Sequence, residues 1–258
     1  SETRNKILKF CYGNDIRAYS TTKVSDILIR GAESLHIFDT PLLLYRNHGL
    51  SFEQRFLKRT MDILVSALML LITSPIFLVA SIAIKLYDGG PVFYRQARCT
   101  MNGKVFYIFK FRSMIVDAEK DGKSQPAADH DPRITPVGRI LRATRLDELP
   151  QLIDILIGNM SLVGPRPERV EHEEKNTEDL AEFEYRLKVR GGLTGYAQIY
   201  GKYNTSPYDK LQLDLIYIQN YSIFLDIKLI LMTIKIMFMK ESTEGFTEEQ
   251  RKDIQEKE

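Results

Sequence analysis

Cysteine is scarce in this 258-residue chain. Cys11 and Cys99 stand alone and far apart, which argues against a disulfide framework, rules out a multi-cysteine zinc site and suits a reducing cytoplasm. Histidine is as sparse, and His36, His48, His130 and His172 are so scattered that each is expected in solvent rather than on a metal. Charge of one sign is missing too. Thirty-six basic and 34 acidic residues leave a net +2, so no global field calls for nucleic acid, and any anion must be met locally. Ser1 to Lys9 has no apolar h-region, so no signal peptide is expected. No Gly-x-Ser-x-Gly or Cys/His constellation supports acyl transfer. Gly191-Gly192-Leu193-Thr194-Gly195 lacks the lysine and spacing of a P-loop and reads as a loop. There is no internal repeat.

What the chain does have is one long apolar run. Ile63 to Ile84 is 22 residues without a charge, preceded by Arg55, Lys58 and Arg59 and followed by Lys85. A straight helix of that length covers ~33 Å at 1.5 Å per residue, about one hydrocarbon thickness. Ser74-Pro75 sits near its midpoint, where proline deletes a backbone hydrogen bond and should kink the helix. Basic residues at both ends favour the same cytoplasmic side, which a helix-break-helix hairpin satisfies and a span does not. On these grounds alone, span and re-entrant hairpin weigh equally. Elsewhere, Val92–Arg95 and Val105–Arg112 read as strands of a hairpin turning at Asn102-Gly103, with Lys110 and Arg112 on one face and Phe109 and Phe111 on the other. A short helix is expected from Met114 to Lys120, then a polar loop from Asp121 to Arg133. Thr135-Pro136 should start a helix that runs to Glu148, and Gln151–Ile157 a second that stops at Gly158. Glu168–Lys188 reads as a solvated helix, Tyr208–Gln219 as a helix, and Phe224–Met239 as an interfacial helix, although a buried core helix shows the same pattern. The tail from Thr243 is polar.

The segment from Gly138 to Pro150 carries the most chemistry. Arg139, Arg142 and Arg145 are spaced by three, and Asp147-Glu148 follow. Adjacent residues on a helix point ~100° apart, so the two carboxylates are poorly set to face each other as in a glycosidase. They suit divided labour: one attacks phosphorus, while the other holds a hard cation such as Mg²⁺, with Arg142 and Arg145 beside them for phosphates. A surface helix laced with ion pairs carries the same pattern and, on this segment alone, is the commoner explanation. Gly164-Pro165-Arg166-Pro167 presents an arginine from a stiff loop, which suits an anion site as well as an ordinary turn.

Taken together, Lys58-Arg59 with Asp62, Thr73-Ser74-Pro75, the run Gly90 to Gln96, Phe109 to Met114, Leu146 to Gln151 and Met160 to Pro167 resemble the bacterial sugar transferases, monotopic polyprenyl-phosphate phosphoglycosyl transferases. The resemblance covers residues 52 to 242. It implies an α+β, mostly helical catalytic domain on the cytoplasmic face of the bacterial inner membrane, seated in the lipid bilayer by a re-entrant helix broken at Ser74 and Pro75 and by interfacial helices. The implied division is an accessory region over 1–50, the membrane helix over 51–88, the catalytic core over 89–242 and a polar tail over 243–258. The resemblance further implies Asp147 as nucleophile towards a UDP-sugar, with release of UMP, and Glu148 as ligand to Mg²⁺. Undecaprenyl phosphate then takes up the sugar phosphate, which starts a surface glycan. Lys110, Arg112, Arg145 and Arg166 are the implied phosphate binders, and Asp214 and Tyr217 are further pocket residues. This chain departs from the family in having Gly191-Gly192 where Pro-Gly is usual. Residues 1–50 resemble only the end of a domain that in larger relatives supports dimerisation, so a homodimer is left open. The rival readings are a membrane-tethered scaffold without turnover and a single-span phosphatase or glycosyltransferase.

Overall fold

Ser51 begins the main body. Its hydroxyl accepts from the Gln54 N–H while Gln54 returns a bond to the Ser51 N–H, a capping box that starts α3 (Phe52–Asp88). Gly89, at φ 70°, ends the helix in the left-handed conformation that glycine alone adopts without strain. The computed structural model describes residues 2–37, 40–45, 49–116, 118, 131–201 and 205–237. They fall into two units, Ser1–Arg46 and Asn47–Glu258. The first contains α1 (Glu2–Gly13), α2 (Val24–Arg30) and the antiparallel pair β1 (Glu33–Ile37) and β2 (Thr40–Leu44). Arg4 pairs with Asp26 through two hydrogen bonds, of 2.6 and 2.7 Å, which tie α1 to α2. The apolar run Pro41–Tyr45 supplies β2 and is exposed.

The second unit is mostly helical. After α3 come the hairpin β3 (Phe93–Cys99) and β4 (Val105–Phe111), α4 (Pro136–Ala143), α5 (Gln151–Ile157), β5 (Ser161–Val163), α6 (Val170–Asp179), β6 (Gly192–Thr194), α7 (Tyr196–Tyr200), α8 (Pro207–Gln219) and α9 (Ile223–Met237). The hairpin register runs from Phe93↔Phe111 to Cys99↔Val105, and its turn uses Asn102 and Gly103 at φ 60° and 71°, as the Asn-Gly pair predicts. Phe106 and Ile108 are buried on the Lys110 side, so that face points into the body. Phe111, Leu141, Ala80 and Ile84 form a core between the hairpin, α4 and the second half of α3.

α3 is a single helix across Pro75, not the two helices separated by a break that Ser74-Pro75 leads one to expect. Pro75 cannot donate to the Leu71 carbonyl, and the Ser74 hydroxyl takes that place at 2.8 Å. Both halves of the helix meet the same body. From the first half, Lys58 reaches Asp226 at 2.6 Å, Arg59 reaches the Ile155 and Leu156 carbonyls at 2.5 and 2.7 Å, and Asp62 accepts from Ser161 and Leu162 at 3.0 and 2.9 Å. From the second half, Ala80 and Ile84 join the core and Asp88 pairs with Arg112. Between them Leu68, Leu71, Ile72, Leu78 and Val79 are exposed, and α3 is the one helix among the described residues long and apolar enough to cross a membrane.

Four other expectations change. Met114 does not open a helix: it bridges Ile134 in extended backbone, and most of 117–130 lies outside the described residues, as do Lys120 and the tail. The helix from Thr135 stops at Ala143 rather than Glu148. Glu168–Lys188 is not one solvated helix but α6 and a 3₁₀ stretch, Ala181–Lys188, whose Arg186 and Phe183 are buried. The stretch read as a loop at Gly192–Thr194 is a strand, parallel to β5.

Candidate active site

Thr135 caps α4 by accepting from the Gly138 N–H at 2.9 Å, and Gly138 lets the helix lie on the backbone just after β4, since a Cβ there would stand 1.9 Å from the Ser113 carbonyl oxygen. α4 ends at Ala143. Arg145 then takes φ 55°, a conformation that costs a non-glycine residue about 1 kcal/mol, and turns the chain into a single 3₁₀ turn, Leu146–Glu148. Leu146 and Leu149 pack on the Phe111–Leu141 core. Their spacing of three fixes the turn from below and leaves Asp147 and Glu148 on its other side.

Glu148 draws two cations to one oxygen. Lys110 from β4 donates to Oε1 at 2.9 Å and Arg166 donates to the same atom at 2.6 Å. Burial works against the charge, yet Arg166 and Lys110 together hold the carboxyl well below the usual carboxylate range. Asp147 moves the other way. Burial, and then the charge of Glu148, push it up, against the partial relief of Lys110, Arg142 and Arg166. The two neighbours therefore differ: Glu148 is held as an anion, and Asp147 is the more basic carboxylate, with no cation paired to it among the described residues.

The Arg166 loop is held by its surroundings. Parallel pairing of β5 and β6 sets Ser161 beside Gly192 and Val163 beside Thr194. The approach is close enough that a Cβ on Gly192 would meet the Gly164 nitrogen at 2.1 Å and one on Gly191 would meet Pro167 Cγ at 2.5 Å. The Gly191-Gly192 pair thus serves close packing under the arginine loop.

Of the residues expected at the site, Lys110, Glu148 and Arg166 converge through direct contacts, while Asp147, next to Glu148, feels the charges of Lys110, Arg142 and Arg166. Arg145 is exposed next to the turn. Arg112 is buried against Asp88 at the end of α3. Asp214 is buried on Arg186 at 3.0 Å, and Tyr217 sits within 3.1 Å of Lys58 and 2.8 Å of Asp226. Arg98 and Arg186, which bond to the Arg166 loop, were not singled out from the sequence, where nothing separates them from other arginines.

No cluster of three or more His, Cys, Asp or Glu that could hold a metal ion occurs among the described residues. A site shared with substrate phosphates needs only one or two carboxylates, and the donor set fits it: both protein cations occupy Oε1 of Glu148, which leaves Oε2 and the adjacent Asp147 for a hard cation.

Residues 53–240 match the model of the family described as bacterial sugar transferase. A UDP-glucose:undecaprenyl-phosphate glucose-1-phosphate transferase of Klebsiella pneumoniae is 42% identical over 219 residues, covering 83% of this chain and 45% of that protein. One of the same description from Escherichia coli K12 is 41% identical over 211 residues, 80% of this chain and 44% of that protein. A UDP-N-acetylgalactosamine-undecaprenyl-phosphate N-acetylgalactosaminephosphotransferase of Aeromonas hydrophila is 39% identical over 183 residues, 70% of this chain and 43% of that protein. The chain thus spans a little under half the length of these relatives.

Proposed function

The chain belongs to the bacterial sugar transferase family, and from that membership and the Asp147–Glu148 geometry we propose that it moves a sugar 1-phosphate from a UDP-sugar to undecaprenyl phosphate. The observation that carries this reading is the contrast between the two adjacent carboxylates, one neutralised by Lys110 and Arg166 and the other left basic. Asp147 attacks the phosphorus that bears the sugar, a new P–O bond forms to the carboxylate, and the bond to UMP breaks. The phosphate oxygen of undecaprenyl phosphate then attacks the same phosphorus, which frees Asp147 and gives a diphosphate-linked sugar. Positioning and charge neutralisation dominate such chemistry. Lys110 and Arg166 hold Glu148 and offer their remaining donors to phosphate oxygens, and Arg142 adds positive charge. Glu148, with the substrate phosphates, would hold Mg²⁺, which when bound supplies further neutralisation of phosphate charge. The relatives' names include a glucose and an N-acetylgalactosamine substrate, so the substrate class is a UDP-hexose or its N-acetylated counterpart.

The same reading seats the protein on one face of a lipid bilayer, the cytoplasmic face of the inner membrane. Its support is α3: Arg59 and Asp88 lie at opposite ends of the apolar stretch, and both bond to one folded body. An exposed apolar middle between two anchored ends is the feature that supports a hairpin dipping into one leaflet. The exposed Phe224, Ile227, Leu231 and Ile234 of α9 suit the interface. The reaction is tested by UMP release from a panel of UDP-sugars, with purified protein, Mg²⁺ and undecaprenyl phosphate. Lipid-dependent UMP from one sugar is the expected result, whereas UDP release would make the chain a glycosyltransferase and silence from folded protein would make it a scaffold.

A further inference from the structure

Pro165 and Pro167 have no backbone N–H, which leaves the carbonyls as the main ties for the loop that presents Arg166. All four from Pro165 to Glu168 are tied. Pro165 accepts from the Gly192 N–H at 2.8 Å, Arg166 from Arg186 Nη2 at 2.8 Å, Pro167 from Arg98 Nη1 at 3.1 Å and Glu168 from the Cys99 N–H at 3.0 Å. Two donors are strand amides, and two are guanidinium groups, Arg186 buried and Arg98 half-buried. Arg186 is 1% exposed and is matched by Asp214, Glu173 and Glu168, with Lys210 pairing Glu168 from the far side. Arg98, whose other contact is Gln96, lies close enough to Arg166 and Arg169 that like charge adds to burial in lowering its pKa, to about 10. Crowding buried arginines costs stability that an apolar packing would not. The expense falls on the backbone of the one arginine that meets Glu148.

We propose that Arg98 and Arg186 are positioning residues for phosphoryl transfer, holding the Arg166–Pro167 backbone so that the Arg166 guanidinium keeps one place between Glu148 and the transferred phosphate. The proposal rests on the transferase reading above. A displacement near 1 Å in such a group can cost on the order of 100-fold in rate, so the effect belongs in kcat rather than in folding.

The test is a double-mutant cycle on the full chain, read by UMP release and by thermal melting. Arg186→Lys keeps a charge for the carboxylates but lacks the second arm that reaches the Arg166 carbonyl, and Arg98→Gln removes the Pro167 contact. Each is expected to lower kcat about 10- to 100-fold with KM for the UDP-sugar changed less than about threefold, and to cost less than about threefold more once Arg166 is already lysine. Lys210→Gln, which weakens the same ion cluster without touching a loop carbonyl, is expected to lower the melting temperature and leave kcat unchanged. Losses that are the same in both Arg166 backgrounds, or that follow melting in all three variants, overturn the proposal. If Arg186→Lys does not fold, Arg98→Gln decides alone. An inactive wild-type protein removes the transferase reading and this inference with it; active wild type with unaffected variants removes the inference only.

Discussion

At the scale of residues, two neighbouring carboxylates are shifted in opposite directions. Glu148 keeps its charge against burial because two cations share one of its oxygens, while Asp147, pushed up by burial and by Glu148, holds its electrons less tightly stabilised. Lys110→Met takes one of the two cations from Oε1 without opening the core, since Lys110 sits at the end of the buried row Phe106–Ile108. The expected outcome is a kcat lowered about 10- to 100-fold with melting shifted by only a few degrees. An unchanged rate would remove Lys110 from the chemistry. Adjacent carboxylates beside arginines suggest divided labour in the sequence, although a surface helix laced with ion pairs carries the same pattern. The turn that holds them was not legible. The spacing of Arg139, Arg142 and Arg145 predicts one helix to Glu148, whereas Arg145 turns left-handed because Leu146 and Leu149 are anchored in a core assembled from distant segments. No local signal announces a single strained residue that tertiary contacts impose.

At the scale of elements, α3 was legible in extent: the expected membrane segment over 51–88 is a helix over Phe52–Asp88. Its Ser74 hydroxyl at the Leu71 carbonyl shows how a proline is accommodated within the helix without leaving that acceptor bare. Single cysteines placed before Arg55 and after Lys85 report the topology of the element. Labelling of both from the same side of sealed vesicles is expected, and labelling from opposite sides would establish a true span and contradict the one-face seat. The segment Glu168–Lys188 was misread because charge density was taken for solvation. Arg186 and Glu173 are instead buried together, and a single chain gives no pattern by which a paired, buried charge differs from an exposed one. The Gly191-Gly192 pair did carry a signal, since adjacent glycines mark close backbone approach as well as a loop, and the parallel β5–β6 pair uses that approach.

At the scale of the molecule, the second unit converges on one turn. β4 supplies Lys110, the core under Leu146 and Leu149 fixes the dyad, and α3 caps the far end of α5 through Arg59. β5, β6 and the buried Arg186 cluster fix Arg166. The general class, α+β and mostly helical, was legible from periodicity and turn residues. The convergence was not, because it joins residues more than 50 positions apart such as Thr100 and Asn159, or Asp62 and Leu162. The most direct measurement is the intact mass of the purified protein after incubation with its UDP-sugar and Mg²⁺ in the absence of undecaprenyl phosphate. The expected result is an adduct of one sugar phosphate on Asp147, formed with one equivalent of UMP, discharged when undecaprenyl phosphate is added and absent from a folded Asp147→Asn variant; an adduct that persists in that variant, or lipid-dependent turnover undiminished by the substitution, would contradict Asp147 as the nucleophile.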